Sequence, residues 1–210
     1  MIRGLRPGDR AALLIVECQR GVLDPTLAIF AGLAEQCRGR GVLPRLAHLA
    51  DGFRAAGMPV VHAHVAHRAD FGGAAVTNPI TARTRREGRM VVGTEEVDAM
   101  PEVAPEPGDY VSTRHSGLGL WYGTEVDSTL RNLHVGTVVL AGVSTNVALF
   151  AGALGAVDRG YQAVVVEDAS AGATAEAHDW MVTNTLPLIA TLAAAEDVAA
   201  AVAGMAPPAP

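Results

Sequence analysis

The chain is predicted to be α/β: a three-layer α/β/α sandwich built on a parallel, doubly wound sheet. Three observations predict this. Apolar runs of strand length recur along the chain, each gap between them has room for a helix, and glycines such as Gly57 and Gly160 stop the helical stretches. Strand and helix in alternation imply parallel strands joined by right-handed crossovers.

The elements follow in order. Ala11 to Val16 is a continuous apolar run, as expected of a strand buried on both faces. A helix is expected from about Leu43 to Ala56, then a second strand from Pro59 to Val65. After the Pro-rich turn PEVAPEPGD comes a third strand, Tyr110 to Thr113, and a short helix around Glu125 to Asn132. Thr137 to Ala141 is the fourth strand, and a helix from about Asn146 to Arg159 leads to the fifth, Ala163 to Val166. A helix near Thr174 to Thr185, a strand near Ile189 to Leu192 and a helix from Glu196 complete the pattern. Residues 1–204 are therefore expected to form a single domain, with a disordered tail over 205–210. Two stretches stand outside the alternation. Residues 20–40 read as an insertion after the first strand, and 66–108 as a long loop of the kind that forms a lid or an oligomer contact.

Composition excludes several functions. The 210 residues are 50% hydrophobic and 18% charged, with a net charge of −6, which argues against nucleic acid or an anionic membrane as partner. All sixteen basic residues are Arg, so no lysine Schiff base or lysine general base can operate. The two cysteines, Cys18 and Cys37, lack metal-ligand spacing and imply no disulfide framework. The run ending at Glu17 is too short for a signal peptide core, and Pro187, Glu196 and Asp197 interrupt the Ala-rich C-terminal stretch. A cytoplasmic location is expected.

In an open parallel sheet, ligands bind beyond the carboxyl ends of the strands. Glu17 ends the first strand, Arg114 follows the third, and Gly142 to Ala148, GVSTNVA, link the fourth to its helix. That link aims backbone N–H groups at one point with a helix dipole behind them, a site suited to an anion or an oxyanion.

IVECQRG, DYVSTRHSG, YGTEVDSTLRN and VVLAGVSTNVALFAGALGAVDRGYQAVVVEDASA together resemble the isochorismatase-like hydrolases, the cysteine hydrolase superfamily. The resemblance runs from about Ala11 to the end. It implies an Asp at the end of the first strand, a Lys after the third, and a nucleophilic Cys at the start of the helix after the GV-x-T turn. The matching positions hold Glu17, Arg114 and Ala148. A methyl group cannot attack, so the covalent mechanism is unavailable. Arginine stays protonated, so Arg114 can hold an anion but not shuttle a proton. Glu17 and Arg114 are expected to pair at the floor of the cleft, either as machinery or as a purely structural ion pair. True isochorismatases also lack the Cys but keep the Asp and Lys, so this chain departs further. Neither cysteine replaces the thiol: Cys18 points away from the face of Glu17, and nothing marks Cys37 as reactive.

HAHVAHR places His62 and His64 on one face of a strand and His67 beyond its end. The resemblance to nicotinamidase-type members raises a metal, but the Asp of their Asp-x-His pair has no counterpart here. No metal and no cofactor is assigned. Ser144, Thr145, His67, Arg68, Asn78, His115 and Trp121 are the expected substrate-binding residues, from their place on loops beside the cleft. Arg83, Arg85, Arg86 and Arg89 read as solvated charges or a subunit contact rather than a phosphate site.

Three functions compete. One is hydrolase-like acid–base chemistry on a small molecule, with Glu17 as acid or base, Arg114 as anion holder and an oxyanion site at Ser144 to Ala148. The second is a pseudoenzyme that binds a small ligand, and the third a partner subunit of an active homologue. The family resemblance also implies a homo-oligomer.

Overall fold

The computed structural model describes residues 2–205. Its core is a six-stranded sheet, all parallel, in the order β3-β2-β1-β4-β5-β6. The strands are β1 (Ala11–Val16), β2 (Val60–Val65), β3 (Tyr110–Arg114), β4 (Thr137–Val143), β5 (Gln162–Ala171) and β6 (Thr191–Ala193). The helices are α1 (Arg20–Leu23), α2 (Ala31–Gly39), α3 (Val42–Ala55), α4 (Pro79–Glu87), α5 (Val126–Asn132), α6 (Ala148–Asp158), α7 (Ala175–Trp180) and α8 (Ala195–Ala203).

The period of two in β1 divides the core. Ala11, Leu13 and Ile15 face Leu46, Leu49 and Phe53 of α3 and Val198 and Val202 of α8. Ala12, Leu14 and Val16 face Val126 and Leu130 of α5 and Leu149 and Ala153 of α6. All six β1 residues are buried, as a strand covered by helices on both faces must be. The sheet winds outward from β1 in both directions, so chain order reverses between β1 and β4. A crevice opens at such a switch point, outside the carboxyl ends of the strands.

β4 and β5 run two or more residues beyond the ends read from the sequence. β4 continues through Gly142 and Val143, and β5 passes through an irregularity in its pairing with β4 before reaching Ala171. Gly142 has φ 111°, and a Cβ there would lie 2.4 Å from the Val16 carbonyl oxygen, so only glycine lets β4 pass β1 at this point.

The two stretches outside the alternation are not plain loops. Residues 20–40 contain α1 and α2, and residues 66–108 contain α4 and two 3₁₀ turns, Glu95–Val97 and Pro101–Val103. They are fastened together. Gln19, fully buried, accepts from the Val65 N–H and donates to the carbonyls of Val65 and Val97. Arg20 pairs with Asp24 at 3.0 Å and Glu95 at 2.7 Å, and Arg89 binds Glu96 and the Leu27 carbonyl. The Arg89 side chain is thus a tie between the two stretches rather than a solvated charge.

Of the residues 205–210 expected as a tail, only Met205 is among those described. Met205 is buried in the core beside α8, and residues 206–210 lie outside those described. No described helix is long and apolar enough to cross a membrane.

Candidate active site

The carboxyl ends of β1, β2, β3 and β4 converge on a cavity of about 730 Å³. Glu17, His67, Arg114, Ser144 and Ala148 all line it. The volume lies within the range of pockets that enclose small organic ligands.

Glu17 sits one residue beyond β1 in the left-handed backbone region, φ 52°. For a non-glycine residue this is locally unfavourable by about 1–2 kcal/mol. The surroundings hold it there: the Glu17 N–H donates to the Ala63 carbonyl at 2.9 Å, and the Gln19 N–H donates to the Glu17 carbonyl at 2.8 Å. Its carboxylate accepts from Arg114 Nη2 at 2.5 Å, and the two side chains are 14% and 4% exposed. Arg114 Nε donates to the Gly117 carbonyl, while Nη1 is buried with no acceptor among the described residues. Arg114 therefore carries one buried donor that is unpaired among the described residues.

Ala148 is buried and opens α6. The chain turns into this helix through Ser144 to Val147. There the Thr145 N–H donates to the Ala171 carbonyl, and the N–H groups of Val147 and Leu149 both donate to the Ser144 carbonyl. The Val143–Ser144 peptide is cis. Among the described residues the Ala148 N–H meets no acceptor, as expected of a first-turn donor. A free N–H at the start of an eleven-residue helix is a site for developing negative charge.

His67 contributes a defined acceptor. Its Nδ1 lies 3.0 Å from the His115 carbonyl, which can only accept, so Nδ1 carries the proton. Burial pushes its pKa below the ordinary histidine value, and nearby Arg114 and His115 push the same way against that hydrogen bond. A neutral ring protonated at Nδ1 leaves Nε2 as a lone-pair acceptor.

Five other expected binding residues lie elsewhere. Thr145 is buried beneath the turn, with its hydroxyl 2.9 Å from His178 Nδ1. The Arg68 side chain is 66% exposed and paired with Asp70. Asn78 caps α4, its Oδ1 accepting from the Thr81 N–H at 2.9 Å. His115 is exposed, its ring bonded to the Ala66 carbonyl. Trp121 packs further along α6, outside the cavity lining, donating Nε1–H to the Gly152 carbonyl and stacking on Tyr161. A Cβ at Gly155 would lie 2.3 Å from the Trp121 ring, so the glycine makes room for the indole. Each lies on or beside a loop near the cleft in the chain, and its local hydrogen bond or ion pair sets its actual direction.

The residues that the sequence reading did not connect with the cleft are mainly apolar. Val22, Ile29, Phe30 and Leu33 come from the 20–40 stretch, and Ile80 and Met90 from the 66–108 stretch. Val22, Ile29, Val65 and Met90 form a small apolar cluster of their own. Helix α2 has Leu33, Ala34 and Cys37 at helical spacing, which was the available signal, but no side chain caps its start.

His62 and His64 point away from this cavity, into the core layer of α3. His62 Nε2 is 3.0 Å from Asp109, which also receives Arg54 at 2.7 Å. Burial lowers the His62 pKa despite the carboxylate, so the contact is a hydrogen bond from a neutral ring rather than an ion pair. His64 is pushed down to about 4, by burial and then by His62. Among the described residues no three His, Cys, Asp or Glu side chains are grouped to hold a metal. Both thiols are buried in the core. Burial raises the Cys18 pKa well above its usual value and that of Cys37 to about 12, so neither is a nucleophile in the folded chain.

Comparisons with known proteins agree with this architecture. The uncharacterized isochorismatase family protein YecD of Escherichia coli O157:H7 is 29% identical over 187 residues, 89% of this chain and 93% of that protein. The crystal structure of an isochorismatase family protein from Desulfovibrio vulgaris superposes with a TM-score of 0.80 at 26% identity, covering 92% of this chain and all of that one. N-carbamoylsarcosine amidase from Thermoplasma acidophilum superposes with a TM-score of 0.68 at 27% identity, covering 89% and 97%. The isochorismatase domain family model matches residues 11–197, and the chain belongs to that family.

Proposed function

We propose that the chain is a hydrolase that acts on a small amide-like molecule by acid–base chemistry, without a covalent intermediate. One observation carries this reading: the Glu17–Arg114 pair borders the same cavity as Ala148, the position that by resemblance belongs to the nucleophile. The methyl cannot attack, but a carboxylate held against a guanidinium can accept a proton.

In this mechanism the Glu17 carboxylate takes a proton from a water molecule. The water oxygen bonds to the substrate carbonyl carbon, and the π electrons move onto the carbonyl oxygen. The free Ala148 N–H at the start of α6 stabilises that oxyanion. When the intermediate collapses, the C–N bond breaks and the amine leaves with the proton held on Glu17. Arg114 fixes the Glu17 carboxylate in place for this step. The His67 Nε2 lone pair accepts a substrate N–H. The similarity to an N-carbamoylsarcosine amidase favours an amide-type bond as the target.

The mutual neutralisation of Glu17 and Arg114 also favours a second reading, a ligand-binding protein without turnover. A panel of primary amides and ureido acids, followed by product analysis and intact-protein mass spectrometry, separates the two. Product without any protein adduct supports the hydrolase. An acyl adduct, or binding across the panel with no product, overturns it.

A further inference from the structure

The cavity has a charge distribution that the reacting end does not explain. Three charged side chains line it: Glu17, Arg114 and Arg83. The first two cancel one another deep inside, where Arg114 is 4% exposed. Arg83, on α4, stands at the mouth with a side chain 42% exposed. Its guanidinium carbon lies 4.9 Å from the ring centroid of Phe30, another residue of the lining, so the cation is stacked on the rim.

Arg83 is only partly neutralised. Its Nε donates to Glu87 at 3.0 Å, but Arg86 donates to the same carboxylate oxygen at 3.2 Å. Two guanidiniums thus share one carboxylate. Among the described residues neither terminal nitrogen of Arg83 has an acceptor. A planar fork laid on an aromatic ring with both ends unused is suited to a carboxylate. The rest of the lining is mainly apolar, with Val22, Ile29, Leu33, Ile80, Met90 and Leu118, and includes Thr81 and Thr84 of α4.

We infer that Arg83 is a specificity-determining residue that binds a carboxylate at the cavity mouth. The substrates are accordingly elongated molecules with a reacting amide at one end, an apolar body and an anionic group at the other. The reacting end rests on the hydrolase reading above; the anion subsite does not.

Two probes differ only at the remote end: octanamide, and suberic acid monoamide, in which a carboxylate replaces the terminal methyl. Calorimetric titration at low salt needs no turnover. The wild type is expected to bind the monoamide about five- to tenfold more tightly than octanamide, as one charge-assisted contact at a half-exposed site allows. Arg83→Gln is expected to remove that preference while leaving octanamide affinity unchanged, and added NaCl to erode it in the wild type. Equal affinities in the wild type, a preference that persists in Arg83→Gln, or no binding of the monoamide would each overturn the inference. Binding with the expected preference but no product would sink the hydrolase reading and leave the subsite standing. Turnover of both probes at equal affinity would do the reverse.

Discussion

At the scale of single residues, the site depends on what Glu17, Arg114 and Ala148 cannot do as much as on what they can. In the proposed mechanism the carboxylate held at 2.5 Å from a permanently protonated guanidinium is the proton acceptor, and the Ala148 methyl offers no nucleophile. These identities were legible in the sequence because each follows directly from a strand end or a strand-to-helix turn. The directions of Trp121, Asn78 and Thr145 were not, because a buried N–H, a helix cap and a buried hydroxyl each follow a local partner that spacing does not reveal. Ala148 yields a direct prediction. A thiol at the first residue of α6, near Arg114 and a free helix N–H, should ionise readily, whereas Cys18 and Cys37 are held protonated by burial. Ala148→Cys is therefore expected to gain one rapidly alkylated thiol per folded chain, with none in the wild type under native conditions. A variant labelled no faster than the wild type would show that residue 148 is not presented to the cavity.

At the scale of elements, the sheet and its main helices were readable because their apolar periods are strong. The cavity wall was not. α4 reads PITARTRRE, with Ile80 its one large apolar residue, and buries two threonines, Thr81 and Thr84, instead of a stripe. Its start is nevertheless written in the sequence as Asn78-Pro79, a cap followed by a first-turn proline, and its end as Gly88 in the left-handed region, φ 63°. Asn78 thus serves the site indirectly, by holding the helix that carries Ile80, Arg83 and Thr84 to the cavity. Asn78→Ala should destabilise the fold by about 1 kcal/mol, the usual worth of such a cap. In hydrogen exchange the extra opening should be confined to α4 and its flanks. A loss spread evenly over the sheet would mean that α4 does not open as a separate unit.

At the scale of the whole molecule, the doubly wound order places the switch point between β1 and β4, and the cavity follows from that topology. The alternation of strand and helix was enough to anticipate this edge. What the sequence could not show is that residues 20–40 and 66–108, far apart in the chain, close on one another as a single wall. The fold also sets an acid limit. His64 and His178 are each pushed down to about 4 by burial, with His62 adding to the first and Arg40 to the second, against a smaller opposite pull from Asp179. In the unfolded chain both titrate near 6.5. Between these values the unfolded chain binds protons that the folded chain refuses, so stability falls as pH drops from about 6.5 to 4. At 1.36 kcal/mol per pKa unit the loss is on the order of 2–3 kcal/mol per histidine, and chemical denaturation at pH 7, 5.5 and 4.5 reads it. Constant stability over that range would mean that these rings are not buried as described. The account turns most directly on Glu17, and one comparison decides it: turnover by Glu17→Gln against wild type on an amide the wild type hydrolyses. The exchange keeps the side chain's shape and removes its capacity to take a proton, so the rate is expected to fall by about 10²–10⁴, the usual contribution of a general base, with ligand affinity kept within a few fold. A Glu17→Gln protein that turns over at the wild-type rate would contradict the account.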